Sequence, residues 1–293
     1  MKKLSGFLIV VLFAMVTVAA WGYANRPTAE PALPRIIHGF AFQPYQKDQD
    51  AIAGEDPTPA QIDADLKLLA GTTRAVRTYS SIGTLGVIPQ LARKHGLKVM
   101  LGSWIDSDRE RNDREVEAAI RLANANRNVT RILVGNEVVL RGDLPVADLI
   151  AHLDRVRAAT KQPVSTAEPW HVWIRHPELV AHVDFITVHM LPYWEGVEVE
   201  AAVGYVVARL GEVRGAFPGK PIVIGDVGWP SEGRTRASAV ATTANEALFL
   251  RRFLAYAEQQ RLEYFVMEAF DHPWKAAAEG KVGEYWGVYD ADR

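Results

Sequence analysis

Short runs rich in branched apolar residues alternate with helix-like stretches from Ile36 to Glu268, and that alternation narrows the folds open to this chain more than any other feature. The pattern predicts strands at Ile36–Phe42, Ala75–Tyr79, Lys98–Ser103, Arg131–Glu137, Val164–Ala167, Asp184–His189, Ile222–Asp226 and Glu263–Glu268. Helices are predicted between them at Thr58–Ala70, Thr84–His95, Arg109–Ala125, Val146–Thr160, Pro177–Ala181, Val199–Phe217 and Ala244–Gln260. Proline at or before a helix start in Thr58-Pro59 and Leu144-Pro145, and glycine after an end in His95-Gly96, agree with those boundaries. Strands that alternate with helices pair in parallel, and eight of them close a (β/α)8 TIM barrel. A chain of 293 residues that is 48% hydrophobic supplies enough core for one such domain. No helix of useful length follows the last strand.

Ahead of this domain, Lys2 and Lys3 precede an apolar segment running to Ala24, the makings of a signal-anchor helix or a cleaved signal peptide. Its length favours a membrane span, and no convincing small-x-small site follows the apolar core. The positive-inside rule then carries the rest of the chain across the membrane, as a single-pass protein with a periplasmic domain. The alternative is secretion after cleavage. The expected organisation is a helix over 1–24, a proline-rich linker over 25–34 and a barrel over 35–293.

Composition removes several function classes. Lys and Arg total 33 against 35 Asp and Glu, a formal net charge of −2 that gives no reason to expect nucleic acid as a partner. There is no cysteine, hence no disulfide, thiolate nucleophile or cysteine metal site. His38, His171 and His189 lack ligand spacing, so no metal or other cofactor is expected. The mixed-charge segment from Asp106 to Glu115 reads as a solvated helix face. Asn128-Val129-Thr130 matches a glycosylation acceptor but abuts a predicted buried strand.

The chemistry gathers at the strand ends. Gly135-Asn136-Glu137 closes the fourth predicted strand, Gly225-Asp226 the seventh and Met267-Glu268 the eighth, so three carboxylates converge on one barrel mouth, where barrel enzymes keep their active sites. Two facing acids are what glycosidic cleavage requires: one protonates the departing oxygen while the other attacks or stabilises the anomeric carbon. His189 ends the sixth strand, and Arg77 and Tyr79 the second, where a buried arginine needs a carboxylate partner. Eight tryptophans provide flat apolar faces; Trp170, Trp173, Trp194, Trp229 and Trp274 all fall just after predicted strands.

Val134-Gly135-Asn136-Glu137, Gly228-Trp229-Pro230-Ser231, Val76-Arg77-Thr78-Tyr79-Ser80 and Met267-Glu268-Ala269-Phe270-Asp271 resemble the family 17 glycoside hydrolases, the β-1,3-glucanases and β-1,3-glucan transglucosylases. The resemblance runs from about Ile36 to the C-terminus. In Glu168-Pro169-Trp170-His171-Val172-Trp173 and Leu191-Pro192-Tyr193-Trp194 it points to the bacterial, membrane-associated branch. It implies a retaining mechanism with Glu137 as acid/base, Asp226 in the nucleophile position and Asn136 on the sugar 2-hydroxyl. Arg77, Tyr79, His189, Tyr193, Trp229, Glu268 and Trp274 are the expected substrate-binding residues. Donor and acceptor would be β-1,3-glucan oligosaccharides, other glucan-synthesis proteins are possible partners, and transfer is favoured over hydrolysis. One departure stands out: the family places glutamate two residues before Gly-Trp-Pro-Ser, where this chain has Asp226. A carboxylate drawn back by about 1 Å can cost about a hundredfold in rate. That leaves Glu268 as a stand-in nucleophile, and a non-catalytic glucan-binding protein as the rival reading.

Overall fold

The computed structural model describes residues 2–25 and 29–293; Arg26, Pro27 and Thr28 of the expected linker lie outside the described residues. Eight parallel strands close a barrel in sequence order: β1 (Ile37–Ala41), β2 (Thr73–Arg77), β3 (Lys98–Ser103), β4 (Val129–Asn136), β5 (Val164–Pro169), β6 (Ile186–Met190), β7 (Ile222–Val227) and β8 (Tyr264–Val266). Pairing of Phe40 with Val266 joins the first strand to the last. The chain is thus a TIM barrel, as the alternation predicts.

N-terminal to the barrel, α1 (Lys2–Ala24) is a separate unit, and none of its apolar residues from Gly6 to Ala24 is buried within the chain. In the barrel the helices are α2 (Pro59–Leu69), α3 (Ile88–Lys94), α4 (Arg109–Ala125), α5 (Val138–Arg141), α6 (Val146–Ala159), α7 (Trp170–Arg175), α8 (Val199–Ala216), α9 (Thr243–Gln260) and α10 (Ala276–Glu279). Their starts are written in the sequence. Thr58 and Gln61 form a capping box on α2, with Pro59 in its first turn, while Asp108 caps α4 and Thr242 caps α9. Ile62, Leu66 and Leu69 recur on one face of α2, and Phe249, Phe253 and Ala257 on one face of α9, which fixes the stripes laid against the strands.

Inside the barrel, Ala75, Met100, Leu133, Ala167, Phe185, Val223 and Phe265 form a separate apolar plug. This layer shuts the barrel from below, so only the C-terminal ends of the strands open onto a cavity. The predicted helix over Thr84–His95 is divided into a 3-10 turn, Gly83–Val87, and α3; Pro177–His182 is likewise 3-10. After β8 come 3-10 turns and the four-residue α10 in place of a long eighth helix.

Two irregularities decide where the strand-end residues Asn136 and Asp226 point. Along β4 the register passes from Leu133↔Ser165 to Asn136↔Ala167, three residues against two. Along β7 it passes from Ile224↔Tyr264 to Val227↔Val266 in the same way. Each extra residue is a β-bulge, which reverses the in–out alternation beyond it. Val223 faces the plug, so unbroken alternation would turn Asp226 outward; the bulge turns it in. Glycine stands at both places. Gly135 has φ +85°, and a Cβ there would lie 2.4 Å from Val138 Cγ2, whereas a Cβ on Gly225 would lie 2.6 Å from Thr187 Cγ2.

Candidate active site

The strand ends open onto a cavity of about 990 Å³, in the size range of ligand-binding clefts. At its floor Arg77, 1% exposed, forms an ion pair with Asp226 and donates to the Asn136 amide oxygen; its NH1 also reaches Gly225 O at 3.3 Å. The latter contact ties the guanidinium to the bulge itself. Burial works against the Arg77 charge, but Asp226 and Tyr79 outweigh it and hold the guanidinium above its ordinary value. Tyr79 donates to Asp226 at 3.1 Å; burial first, then the Asp226 charge, keeps its phenol far above the usual tyrosine range and therefore a donor. With Asn136 Oδ1 taken by Arg77, the amide NH2 is turned away from the guanidinium as a donor.

One imidazole links the two acids. His189 Nδ1 lies 2.7 Å from Glu137 Oε1, and its Nε2 lies 3.3 Å from Asp226 Oδ2 without hydrogen-bond alignment. The His189 ring is 3% exposed, while the Glu137 side chain is 25% exposed and stands at the open side. Asp226, Asn136, Tyr79, His189 and Glu137 thus form one contiguous set, all of them lining the cavity above Arg77.

Glu268 sits differently. It is fully buried, and Lys275 Nζ donates to its Oε1 at 2.5 Å, with Gln43 and His272 at 3.5 Å from Oε2. Burial raises its carboxyl to about 7 although Lys275 pulls the other way. Lys275, not Glu268, lines the cavity. Trp274 is in the wall too, edge-on to Tyr45 with ring centres 5.8 Å apart.

Tyr193 and Trp229 stand behind the wall. The Tyr193 hydroxyl donates to Arg234 O and the Trp229 indole N–H to Val240 O at 3.0 Å, satisfying groups that burial would otherwise strand. Tyr193 packs against Trp194 at 5.3 Å between ring centres, and Trp229 against Tyr193 at 5.9 Å, so both back a tryptophan that does line the cavity. Trp173 is fully buried with its N–H on Thr187 O, a packing residue. The wall also holds Trp104, which directly follows the third predicted strand but is not among the residues expected at the site, and Tyr205, which lies within α8. Glu168, which heads one of the stretches that carry the family resemblance, has no expected site role; its carboxylate accepts from the backbone N–H groups of Val139 and Leu140.

A family model for the BtgE/BtgC glycoside hydrolase domain matches residues 39–287, nearly the whole barrel. The chain belongs to the BtgE/BtgC glycoside hydrolase family. This BtgE/BtgC domain is 28% identical over 261 residues to a glucan 1,3-beta-glucosidase of Arthroderma benhamiae, covering 82% of this chain and 84% of that one. It is 26% identical to a probable glucan endo-1,3-beta-glucosidase, btgC, of Aspergillus flavus, covering 90% of this chain but 43% of that longer protein. Among solved structures it is similar to the glycoside hydrolase family 17 beta-1,3-glucanosyltransferase of Rhizomucor miehei, with TM-score 0.77 and 28% identity over 87% of this chain and 94% of that one. An active-site mutant of that enzyme has been solved with laminaritriose.

Proposed function

We propose that this BtgE/BtgC hydrolase acts on β-1,3-glucan by a retaining double displacement and transfers the glycosyl group to a second glucan in preference to water. The carrying observation is the placement of Glu137 and Asp226 beside the two nitrogens of His189 within the cavity. Asp226 attacks the anomeric carbon and the glycosidic C–O bond breaks, while Glu137 gives its proton to the departing oxygen. In the second half Glu137 takes the proton of an acceptor hydroxyl, whose oxygen displaces Asp226. Arg77 and Tyr79 keep the Asp226 carboxylate aimed, and Asn136 offers its NH2 to the sugar. His189 orients both acids.

Transfer is supported by the aromatic wall, in which Tyr45, Trp104, Trp170, Trp194, Tyr205 and Trp274 give an acceptor sugar broad apolar faces to compete with water. It is also supported by likeness to a glucanosyltransferase. Trp274, Lys275 and, through Lys275, Glu268 hold sugar in this reading. The α1 helix anchors the enzyme in the cell membrane with residues 35–293 periplasmic, joined by a linker over 25–34. Its 19-residue, largely apolar stretch spans about 28 Å, close to a bilayer's hydrocarbon thickness.

The test is the product pattern from a laminari-oligosaccharide labelled at its reducing end and resolved by mass. Products longer than the donor establish transfer. Shorter products alone, carrying one oxygen from labelled water, would make it a hydrolase. Binding without any product would overturn the mechanism.

A further inference from the structure

We infer that Glu168 is a positioning residue for Glu137, holding the acid/base in place through the first turn of α5. The inference rests on the acid/base reading of Glu137 given above. Glu137 has a left-handed backbone, φ +56° and ψ +31°, a conformation that costs a residue with a side chain about 1–2 kcal/mol. Such a conformation persists only where its surroundings fix it. Behind it the chain fixes the strand side: Glu137 N–H donates to Ala167 O at 2.7 Å.

Ahead of it lies α5, four residues long and unable to hold itself as an isolated helix. Its first-turn N–H groups have no partner inside so short a helix and need acceptors from elsewhere. Glu168 supplies both. Its Oε1 accepts from Val139 N–H at 2.8 Å and its Oε2 from Leu140 N–H at 3.3 Å. The carboxylate sits on β5 next to Ala167, so β5 grips the chain on both sides of Glu137. Glu168 is fully buried, and burial lifts its carboxyl to about 7 despite those two donors. A buried acid is a costly way to fill space, and only a carboxylate offers two acceptor oxygens to two donors. Glutamine would keep one bond and set its NH2 against the other N–H.

A residue that acts through the acid/base should matter only where proton transfer matters. The experiment compares wild type, Glu168→Gln and Glu137→Gln on two donors: a laminari-oligosaccharide, which needs the acid, and a laminaribioside of 2,4-dinitrophenol, whose leaving group does not. Glu168→Gln is expected to lower oligosaccharide turnover about 10- to 100-fold, the scale of an ångström-sized misplacement, while leaving the initial burst of dinitrophenol within about threefold. Glu137→Gln should show the same selectivity with a larger oligosaccharide loss, about 10²- to 10⁴-fold. If Glu137→Gln lacks that selectivity, the acid/base reading fails. If Glu137→Gln shows it and Glu168→Gln lowers both donors equally or neither, the positioning role fails. Should Glu168→Gln not fold, Glu168→Asp, which keeps the charge at shorter reach, is read on the same two donors, and failure of both to fold would make Glu168 structural and overturn the proposal.

Discussion

Arg77 and Asp226 form an ion pair from which solvent is almost excluded, with side chains 1% and 4% exposed. A buried pair is worth little against an apolar replacement of both partners, but removing one partner strands the other. Arg77→Met is therefore expected to lower stability by about 3–5 kcal/mol and to abolish turnover. Urea denaturation and a glycosyl-transfer assay check it. Arg77→Lys should fold better yet remain poorly active, because a point charge cannot serve Asp226, Asn136 and Gly225 O at once as the guanidinium fork does.

Asp226→Glu is expected to slow glycosyl-enzyme formation at least about tenfold. The bulge in β7 already brings Asp226 into contact with Arg77, Tyr79 and His189, so an added methylene must displace a bonded carboxylate into an occupied space. A slow fluorinated glycosyl donor followed by peptide mass mapping reads the result. Faster labelling in Asp226→Glu would mean that the shorter side chain is held back from the sugar, and label on Glu268 would move the nucleophile there.

Glu246 is expected to destabilise the protein at neutral pH. It is 8% exposed on α9, its Oε1 lacks a partner, and burial followed by the nearby Asp271 raises its carboxyl to about 8. In the unfolded chain it titrates near about 4.3, so folding binds an extra proton between the two values. Stability from this group is fully present below about pH 4.3 and falls as pH rises to about 8. Glu246→Gln should melt at least about 2–4 °C higher at pH 8, with the two melting curves converging toward pH 4. Other buried acids are common to both proteins and cancel from the difference.

The full chain is expected to sediment with membranes and to release an active barrel when protease is added from the periplasmic side. A mature N-terminus near Trp21 and a freely soluble product would show that the helix is a cleaved signal instead.

Hydropathy alternation carried most of the barrel, because a strand buried on both faces must be apolar throughout and the helices must present stripes to it. The carboxylates were legible as residues at strand ends, since a charge that closes an apolar run has to emerge somewhere. The inward turn of Asn136 and Asp226 was not. A bulge inserts one residue without changing hydropathy, and only Gly135 and Gly225 hint at it. The resemblance implies Tyr193 and Trp229 as substrate-binding residues; in the structure their polar tips find carbonyls of Arg234 and Val240, in segments whose approach no local pattern encodes. The role of Glu168 was not legible for the same reason: its partners are main-chain groups almost thirty residues earlier, and α5 is too short to have a period.

The two bulges have a consequence for what this scaffold can become. Since the bulged backbone before positions 136 and 226 sets the aim, the identity of the side chain there can change while its direction is kept. A smaller or neutral group at 226 would still look into the same cavity, over the same imidazole and between the same aromatic walls. Conversely, a methyl group added at Gly225 would strike Thr187 and approach the His189 ring at 3.1 Å, disturbing the machinery with every reactive group still present. Aim and chemistry are inherited separately in this barrel, so a lineage can exchange one without rebuilding the other.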